Sequence, residues 1–381
     1  MSLFSGGMGL DLGFEAEGFK IRLAVDNDAA AKKTIMANRP ETAFLGEDLA
    51  SYETAELLRK AGLKEGEATV LTGASPCEPF STAGRRQSMQ DSRGQALYEF
   101  IRVIKEAQPR YFACEQGPGF LRAAKKHMPF YERITKREEE LDPDERLGSA
   151  FDEVMQEFTD TKYALSFDPE KPNGSLLNAA DFGTAQKRRR FILIGSRDGP
   201  AVELPTPTHG APGLPDVVNG KLKRWVTLKD AVEGLQETEP EHFDFPTTWG
   251  PLLALVPEGG CWRDLPEELQ KEALGGAYDE DGSGVKGGRT GFLRRLAWDR
   301  PAPTLVDRPT TKAGALCHPE GLRPLSYGEY RRLQGFPDDW IIEGSLASRY
   351  QLVGQATPVP LAQAVARSIL KRIRKDQRSR A

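Results

Sequence analysis

The sequence of 381 residues predicts an α/β fold with a doubly wound, mostly parallel sheet, joined to a second, smaller and loop-rich domain. Two observations lead to this prediction. Short apolar runs alternate with segments of helical spacing over the first half of the chain, which is typical of strand-helix units in a parallel sheet. From 197 to 322 the alternation stops, and prolines and glycines separate short, irregular apolar runs.

The strand-helix units can be followed in order. A strand ending near residue 3 leads into a glycine loop, and later strands are expected at 19–24, 43–45, 70–71, 111–114 and 191–195. Helices are expected at 10–17, 29–38, 54–61, 97–107, within 125–158, and at 326–333 and 360–373. The last helix has apolar residues about one turn apart, so we expect it to pack on the first domain. We therefore place the first domain at 1–196, the second at 197–339, and a return to the first at 340–381.

Composition excludes several classes of protein. No apolar run approaches the roughly 18 residues of a membrane span, and 1–13 lacks the basic flank of a secretory signal, so we expect a cytoplasmic protein with no membrane contact. The four cysteines are far apart and have no histidine at metal-ligand spacing, which indicates neither disulfides nor a metal site. The net charge of −4 argues weakly against a polyanionic partner, but basic runs at 187–190 and 371–380 leave room for a local basic cleft.

One cysteine stands where a nucleophile would be expected. Cys77 lies in a tight turn of small residues and prolines, 73–81, directly after an apolar run. Reactive groups collect in the loops at the carboxyl ends of strands in open α/β sheets, and a thiol there can be activated by its surroundings. Taken alone, the same pattern fits a small buried side chain.

The beginning of the chain predicts a nucleoside-containing cofactor. The glycine loop at 4–9 follows the first strand, and Asp26 closes the second, where a carboxylate can hold ribose hydroxyls. Each feature has an alternative: the loop could be a plain turn, and Asp26 could cap the helix that begins at Ala29. The loop lacks the Gly-Lys-Ser/Thr ending of a triphosphate site, which leaves a nicotinamide or an adenosyl cofactor.

Two further groups are placed near the same edge of the sheet. Glu115 follows the strand 111–114 and could act as an acid or hydrogen-bond partner beside Cys77, or could be an ordinary surface acid. Strand alternation would send Arg188 and Arg190 to one face, where they could bind a phosphate or a base carbonyl. A solvated basic turn is the alternative for these arginines.

Taken in order, these segments resemble the cytosine-C5 DNA methyltransferase family over nearly the whole chain. The similarity is carried by Phe4-Ser5-Gly6 with Gly9, Asp26 to Asp28, Asp48-Leu49, Pro76-Cys77 with Phe80-Ser81, Asp91 with Arg93-Gly94, Glu115, and Gln186, Arg188 and Arg190. It continues through Arg323-Pro324-Leu325-Ser326 with Glu329, Arg332-Leu333-Gln334, Phe336-Pro337, and Gly354 to Pro358.

The resemblance implies a Rossmann-like methyltransferase domain, a target recognition domain at 197–339, and S-adenosylmethionine as cofactor, with no metal. It implies that a cytosine is flipped from double-stranded DNA, that the Cys77 thiolate attacks C6, and that C5 receives the methyl group. Catalytic roles fall to Cys77, Glu115, Arg188 and Arg190. Cofactor contacts fall to Phe4, Ser5, Gly6, Gly7, Gly9, Asp26, Asn27, Asp48, Leu49, Pro76, Gln355 and Ala356, and DNA contacts to Ser81, Arg85, Arg86 and Gln186.

Some positions depart from the family pattern and keep alternatives open. Met8, Glu78 and Gln355 replace a Gly, a Gln and an Asn near the cofactor or the active-site loop, so a modified S-adenosylmethionine carrying a larger or charged group is one alternative. Gln116-Gly117 and Gly328 are further departures. A tRNA cytosine-5 methyltransferase is a second alternative, although no Cys-Phe-Thr signature occurs in 197–322. A third is a DNA-binding relative without activity.

The same resemblance suggests partners and context. We expect a monomer that acts on double-stranded DNA, in a bacterial or phage-infected cell and near the nucleoid. A cognate restriction endonuclease is a possible companion.

Overall fold

A computed structural model describes residues 1–75, 92–126, 128, 130–237, 240–274, 292–311 and 315–378. The strands are β1 Ser2–Leu3, β2 Leu23–Val25, β3 Ala43–Leu45, β4 Val70–Gly73, β5 Tyr111–Gln116, β6 Ala164–Leu165, β7 Leu176–Asn178, β8 Gln186–Lys187, β9 Arg189–Ser196, β10 His209–Gly210, β11 Lys223–Arg224, β12 Arg294–Arg295, β13 Ala302–Pro303 and β14 Leu316–Cys317. The helices are α1 Gly9–Glu15, α2 Ala29–Asn38, α3 Thr54–Ala61, α4 Ser92–Ala107, α5 Phe130–Thr135, α6 Ser149–Asp160, α7 Pro215–Val218, α8 Leu228–Val232, α9 Gly250–Leu255, α10 Glu267–Leu274, α11 Tyr327–Leu333, α12 Leu346–Gln355 and α13 Val359–Arg378.

A mostly parallel sheet forms the centre of the molecule, as the sequence predicted. Its strand order is β3-β2-β1-β4-β5-β9-β6, and β7 also pairs with β9. The first five of these strands are parallel, whereas β9 runs antiparallel to β5, β6 and β7. The carboxyl ends of β1, β2, β3, β4 and β5 therefore meet at one edge of the sheet, which is where ligands bind in such folds.

Both faces of the sheet are covered because successive side chains of a strand point to opposite sides. In β5, Phe112 and Cys114 join a core with α4 and α6, while Tyr111 and Ala113 join a core with α1 and α13. The close approach of α13 to α1 requires a glycine, since a Cβ at Gly13 would overlap Ala362. This contact returns the end of the chain to the first core, as predicted.

Part of the predicted second domain has a hydrophobic cluster of its own. Its members come from α9, α10, β14 and the segments between them, among them Trp249, Leu253, Trp262, Leu293 and Cys317. Another cluster joins α8, α11 and α12 to the first helices of the sheet domain. The boundaries at 197 and 339 stay predictions.

No helix in the described ranges has the length and apolar character to cross a membrane.

Candidate active site

The glycine loop after β1 lies at the carboxyl edge of the sheet and faces open space. Phe4 and Gly6 have left-handed backbone conformations, with φ of 56° and 49°. A Cβ at Gly6 would meet no atom within 4 Å, and the Gly6 N–H donates to Asp26 Oδ2 at 2.7 Å. Ser5 is buried and donates through its hydroxyl to Ser2 Oγ at 2.9 Å. The loop therefore presents its backbone beside a carboxylate, as a ribose site requires.

Asp26 is not the cap of the following helix. Asp28 fills that role, because its Oδ1 accepts from the N–H groups of Ala30 and Ala31 at 2.6 and 3.1 Å. Burial raises the pKa of Asp26, against hydrogen bonds from the backbone of Asp28 and Gly6 that lower it. With the capping role taken by Asp28, Asp26 remains available as the acidic group at the end of β2.

The other predicted cofactor residues that the structure describes lie at neighbouring strand ends or in a segment that packs on this loop. Asn27 and Asp48 are exposed at the ends of β2 and β3, and Leu49 is buried in the adjoining core. The segment 354–357, here called the wall segment, closes the far side of the loop. A Cβ at Gly9 would lie 2.5 Å from the carbonyl oxygen of Thr357 in that segment.

The wall segment carries Gln355 and Ala356, with the Gln355 side chain exposed and Ala356 half-buried. Gly7 lies close to Leu352, just before the wall segment, and its carbonyl accepts from Trp340 Nε1 at 3.2 Å. Met8 is fully buried in the core and points away from the open side of the loop. The open loop, the edge carboxylate and the wall segment together fit a nucleoside cofactor.

Glu115 is a buried carboxylate with an arginine partner. It is 3% exposed at the end of β5, and Arg190 Nε lies 2.5 Å from its Oε1. Arg190 is the second residue of the neighbouring antiparallel strand β9, where Gln116 pairs with Phe191. The surface-acid alternative for Glu115 is therefore wrong. A buried carboxylate is stable when it is paired in this way.

The described residues that precede Cys77 lie beside the end of β5, where Gly73 pairs with Cys114. Gln116 is fully buried, and its Nε2 donates to the Ser75 hydroxyl at 2.5 Å and to the Ser75 carbonyl at 3.3 Å. Ser75 is the last described residue before Ser92, so the predictions for Pro76, Cys77, Glu78, Ser81, Arg85, Arg86 and Asp91 lie outside the described residues.

Gln186 and Arg188 are interior residues. They are 0% and 2% exposed, so the alternative of a solvated basic turn does not hold for Arg188. The strand is interrupted at Arg188, whose N–H donates to the Gln186 carbonyl at 3.0 Å, and simple alternation with Arg190 fails. Arg188 donates to main-chain carbonyls and Arg190 contacts Glu115, so the two arginines serve different parts of the molecule. Contacts of Gln186 and Arg188 with DNA stay predictions.

Three structural residues were missed in the sequence. Gln116 was noted only as a departure, Gln334 only as part of a motif, and Asp11 not at all. Asp11 is fully buried beneath the glycine loop and accepts from Ser2 Oγ at 2.9 Å; burial raises its pKa to about 7. In the sequence, only the apolar neighbours of Asp11 in the helix indicated that this residue would be buried.

Among the described residues, no group of three or more His, Cys, Asp and Glu side chains could hold a metal ion.

An open α/β sheet with a glycine loop after β1, an acid after β2 and a buried Glu-Arg pair at the same edge fits the class of enzymes that bind a nucleoside-containing cofactor. Comparison with known proteins gives the family. The model of the C-5 cytosine-specific DNA methylase family matches residues 1–371, and the chain belongs to this family. The resemblance found in the sequence is thus confirmed.

Individual relatives agree with this assignment. The Type II methyltransferase M.Eco47II of Escherichia coli is 32% identical, over 97% of this chain and 78% of that protein. M.PspPI of Psychrobacter, also a Type II methyltransferase, has the same identity and coverage. A crystal structure described as a DNA modification methyltransferase from an E. coli prophage shares the fold, with a TM-score of 0.63, 21% identity and 98% of each chain covered.

Proposed function

We propose that this protein is a DNA cytosine-5 methyltransferase that uses S-adenosylmethionine and a covalent cysteine adduct. The observation that carries the proposal is the buried Glu115–Arg190 pair. It adjoins the Gln116–Ser75 contact from which the Cys77 loop departs. Glu115, the described residues that precede Cys77 and the glycine loop 4–9 thus lie at one edge of the sheet.

The chemistry assigns one task to each group. A cytosine flipped from the duplex would bind at the edge of the sheet, with Glu115 holding its N3 and N4 positions. The Cys77 thiolate would add to C6, which makes C5 nucleophilic; C5 takes the methyl group, the C5 proton then leaves and the bond to Cys77 breaks. When bound, S-adenosylmethionine supplies that methyl group as an electrophile.

Arg190 supports this use of Glu115. A carboxylate buried without a partner would be strongly destabilised in the folded protein. With the Arg190 guanidinium at 2.5 Å, its charge is compensated while the carboxylate remains at the sheet edge. The position of Met8 in the core favours ordinary methyl transfer over a larger group, since its side chain does not line the open loop.

The first test replaces the predicted nucleophile. In Cys77→Ala, transfer of labelled methyl groups from S-adenosylmethionine to duplex DNA should fall below about 1% of wild type, because the covalent step is lost. Covalent trapping on 5-fluorocytosine DNA should disappear as well. Cys261→Ala is the matched control and should keep wild-type activity, since Cys261 is a half-buried cysteine that packs against the hydrophobic cluster of the predicted second domain.

The same assays separate the alternatives. Retained transfer by C77A would contradict the covalent mechanism, and methylation of tRNA in place of duplex DNA would support the RNA alternative. Mass spectrometry of product cytosines should show 5-methylcytosine alone. Failure of the wild type to trap or methylate any duplex would favour a binding protein without activity.

The relatives suggest a setting. M.Eco47II and M.PspPI are both named Type II methyltransferases. We therefore propose that this protein protects DNA against a cognate restriction endonuclease. Methylome sequencing of a host expressing the protein would report the modified motif. Resistance of that DNA to an endonuclease cutting the same motif is the expected result.

A further inference from the structure

Arg188 ties together two segments that are far apart in the chain. Its Nη1 donates to the carbonyl of Leu305 at 2.9 Å. Its Nη2 donates to the carbonyl of Gly354 at 2.8 Å and approaches that of Gln355 at 3.3 Å. One guanidinium therefore bonds the predicted recognition domain and the wall segment at once.

The two segments are also in direct contact. Gly354 packs against the main chain of Val306 and Asp307, and a Cβ at Gly354 would overlap the Val306 carbonyl. The other end of the wall segment packs on the cofactor loop, since a Cβ at Gly9 would lie 3.0 Å from Ala356 Cβ. Closely packed backbone thus runs from the predicted recognition domain through the wall segment to the glycine loop. Because protein interiors are densely packed, a displacement at one end is transmitted to the other.

Gln186 and Gln334 complete a buried polar junction around Arg188. Gln186 Oε1 accepts from the Leu305 N–H at 2.9 Å, and its Nε2 donates to Gln334 Oε1 at 2.9 Å. Gln334 Nε2 in turn donates to the carbonyls of Val353 and Ala356, at 2.6 and 3.2 Å. Both glutamines are fully buried, so their hydrogen bonds are costly to break.

We infer that Arg188 is a positioning residue. It fixes the position of Leu305, in the predicted recognition domain, relative to the wall segment, and thereby sets the affinity for cofactor as well as for DNA. The inference rests on the proposed function. It assigns Arg188 a role distinct from gripping the flipped base or its phosphate. A lysine could not replace it, because the planar guanidinium reaches two segments with separate nitrogens, whereas an ammonium is a single point.

The test compares Arg188→Lys with Arg189→Lys. Arg189 is the exposed neighbour, so its replacement is the matched control. With S-adenosylhomocysteine and no DNA present, R188K should bind about tenfold more weakly or worse, since hydrogen bonds from a charged group are lost, and R189K within about twofold of wild type. In turnover, R188K should raise KM for the cofactor more than it lowers kcat.

Two results would overturn the inference. If R188K binds S-adenosylhomocysteine as wild type does and loses only DNA affinity, Arg188 acts on the DNA and does not position the wall segment. If R188K lowers only the midpoint of thermal unfolding and leaves both affinities unchanged, it merely stabilises the fold.

A second variant covers the case in which R188K does not fold. Gly354→Ala keeps every hydrogen-bonding group but pushes the wall segment from Val306, and it should weaken cofactor binding in the same way; wild-type affinity would contradict the inference. The proposed function fails separately, if the wild type binds neither S-adenosylhomocysteine nor duplex DNA.

Discussion

At the scale of single residues, Gln116 shows how one side chain can hold the end of a strand that precedes a predicted nucleophile. Its amide is fully buried and donates twice to Ser75, two positions before Cys77. The register of β4 with β5 pairs Gly73 with Cys114, which brings the two strand ends side by side. Gln116 therefore anchors the point at which the chain leaves the sheet toward the predicted nucleophile.

Replacing this amide should slow the covalent step. In Gln116→Leu the donor to Ser75 is lost, and we expect the rate of trapping on 5-fluorocytosine DNA to fall about tenfold or more, because small misplacements of a nucleophile are costly. Affinity for S-adenosylhomocysteine should stay unchanged. Ser75→Ala, which keeps the carbonyl acceptor, should have a smaller effect; equal trapping by Q116L and wild type would show that Gln116 has no such role.

At the scale of elements, helix α11 begins with a buried charge cluster. Ser326 caps the helix and accepts from the N–H of Glu329 at 3.1 Å, while Arg323 donates to both oxygens of Glu329 at 2.8 and 2.9 Å. Burial opposes ionisation, but hydrogen bonds from Arg323, His318 and the Ser326 backbone lower the pKa of Glu329 to about 2. Gly328 leaves room for Glu237, whose carboxylate accepts from Ser326 Oγ at 2.5 Å.

This cluster predicts a dependence of stability on pH. Glu329→Gln should lower the free energy of unfolding by about 3 kcal/mol at neutral pH, because Arg323 loses its buried partner. The folded pKa of Glu329 lies below its ordinary value, so its contribution is full above pH 4.5 and is lost as the pH falls toward 2. Urea unfolding of both proteins should show the difference shrinking over that range, and a constant difference would contradict the assignment.

Several elements were predictable because their signals are local. Helices at 29–38 and 54–61 and the strand at 43–45 have the predicted bounds, with Asp28 capping the first helix and Gly62 ending the second in a left-handed conformation. The second strand was expected at 19–24 but is β2, Leu23–Val25. Pairing with β1 and β3 decides its ends, and pairing partners cannot be read from local composition.

At the scale of the whole molecule, charge is unevenly distributed. The net charge is −4, but Lys187 of β8 is an exposed cation that directly precedes the buried Arg188. Lys187 lies over the ring of Trp225, with its Nζ 5.0 Å from the ring centroid. An exposed cation beside an aromatic ring is compatible with binding a polyanion.

Affinity for duplex DNA should therefore fall steeply with salt. Between about 50 and about 200 mM salt we expect a loss of at least about a hundredfold, because phosphate contacts release counterions. Fluorescence anisotropy with a labelled duplex measures it. The affinity for S-adenosylhomocysteine, which forms no such contacts, serves as the control and should change little. A DNA complex that is insensitive to salt would count against DNA as the substrate.

The sequence by itself determined the order of the strand-helix units, the glycine loop after the first strand, and the family, because apolar periodicity, glycines and motif residues are properties of short segments. Only the tertiary structure decided that Arg190 pairs with Glu115, that Gln116 holds Ser75, and that Arg188 bonds Leu305 and Gly354. The residues of each pair are separated by 41 to 166 positions in the sequence, so only packing of the whole chain brings them within contact distance.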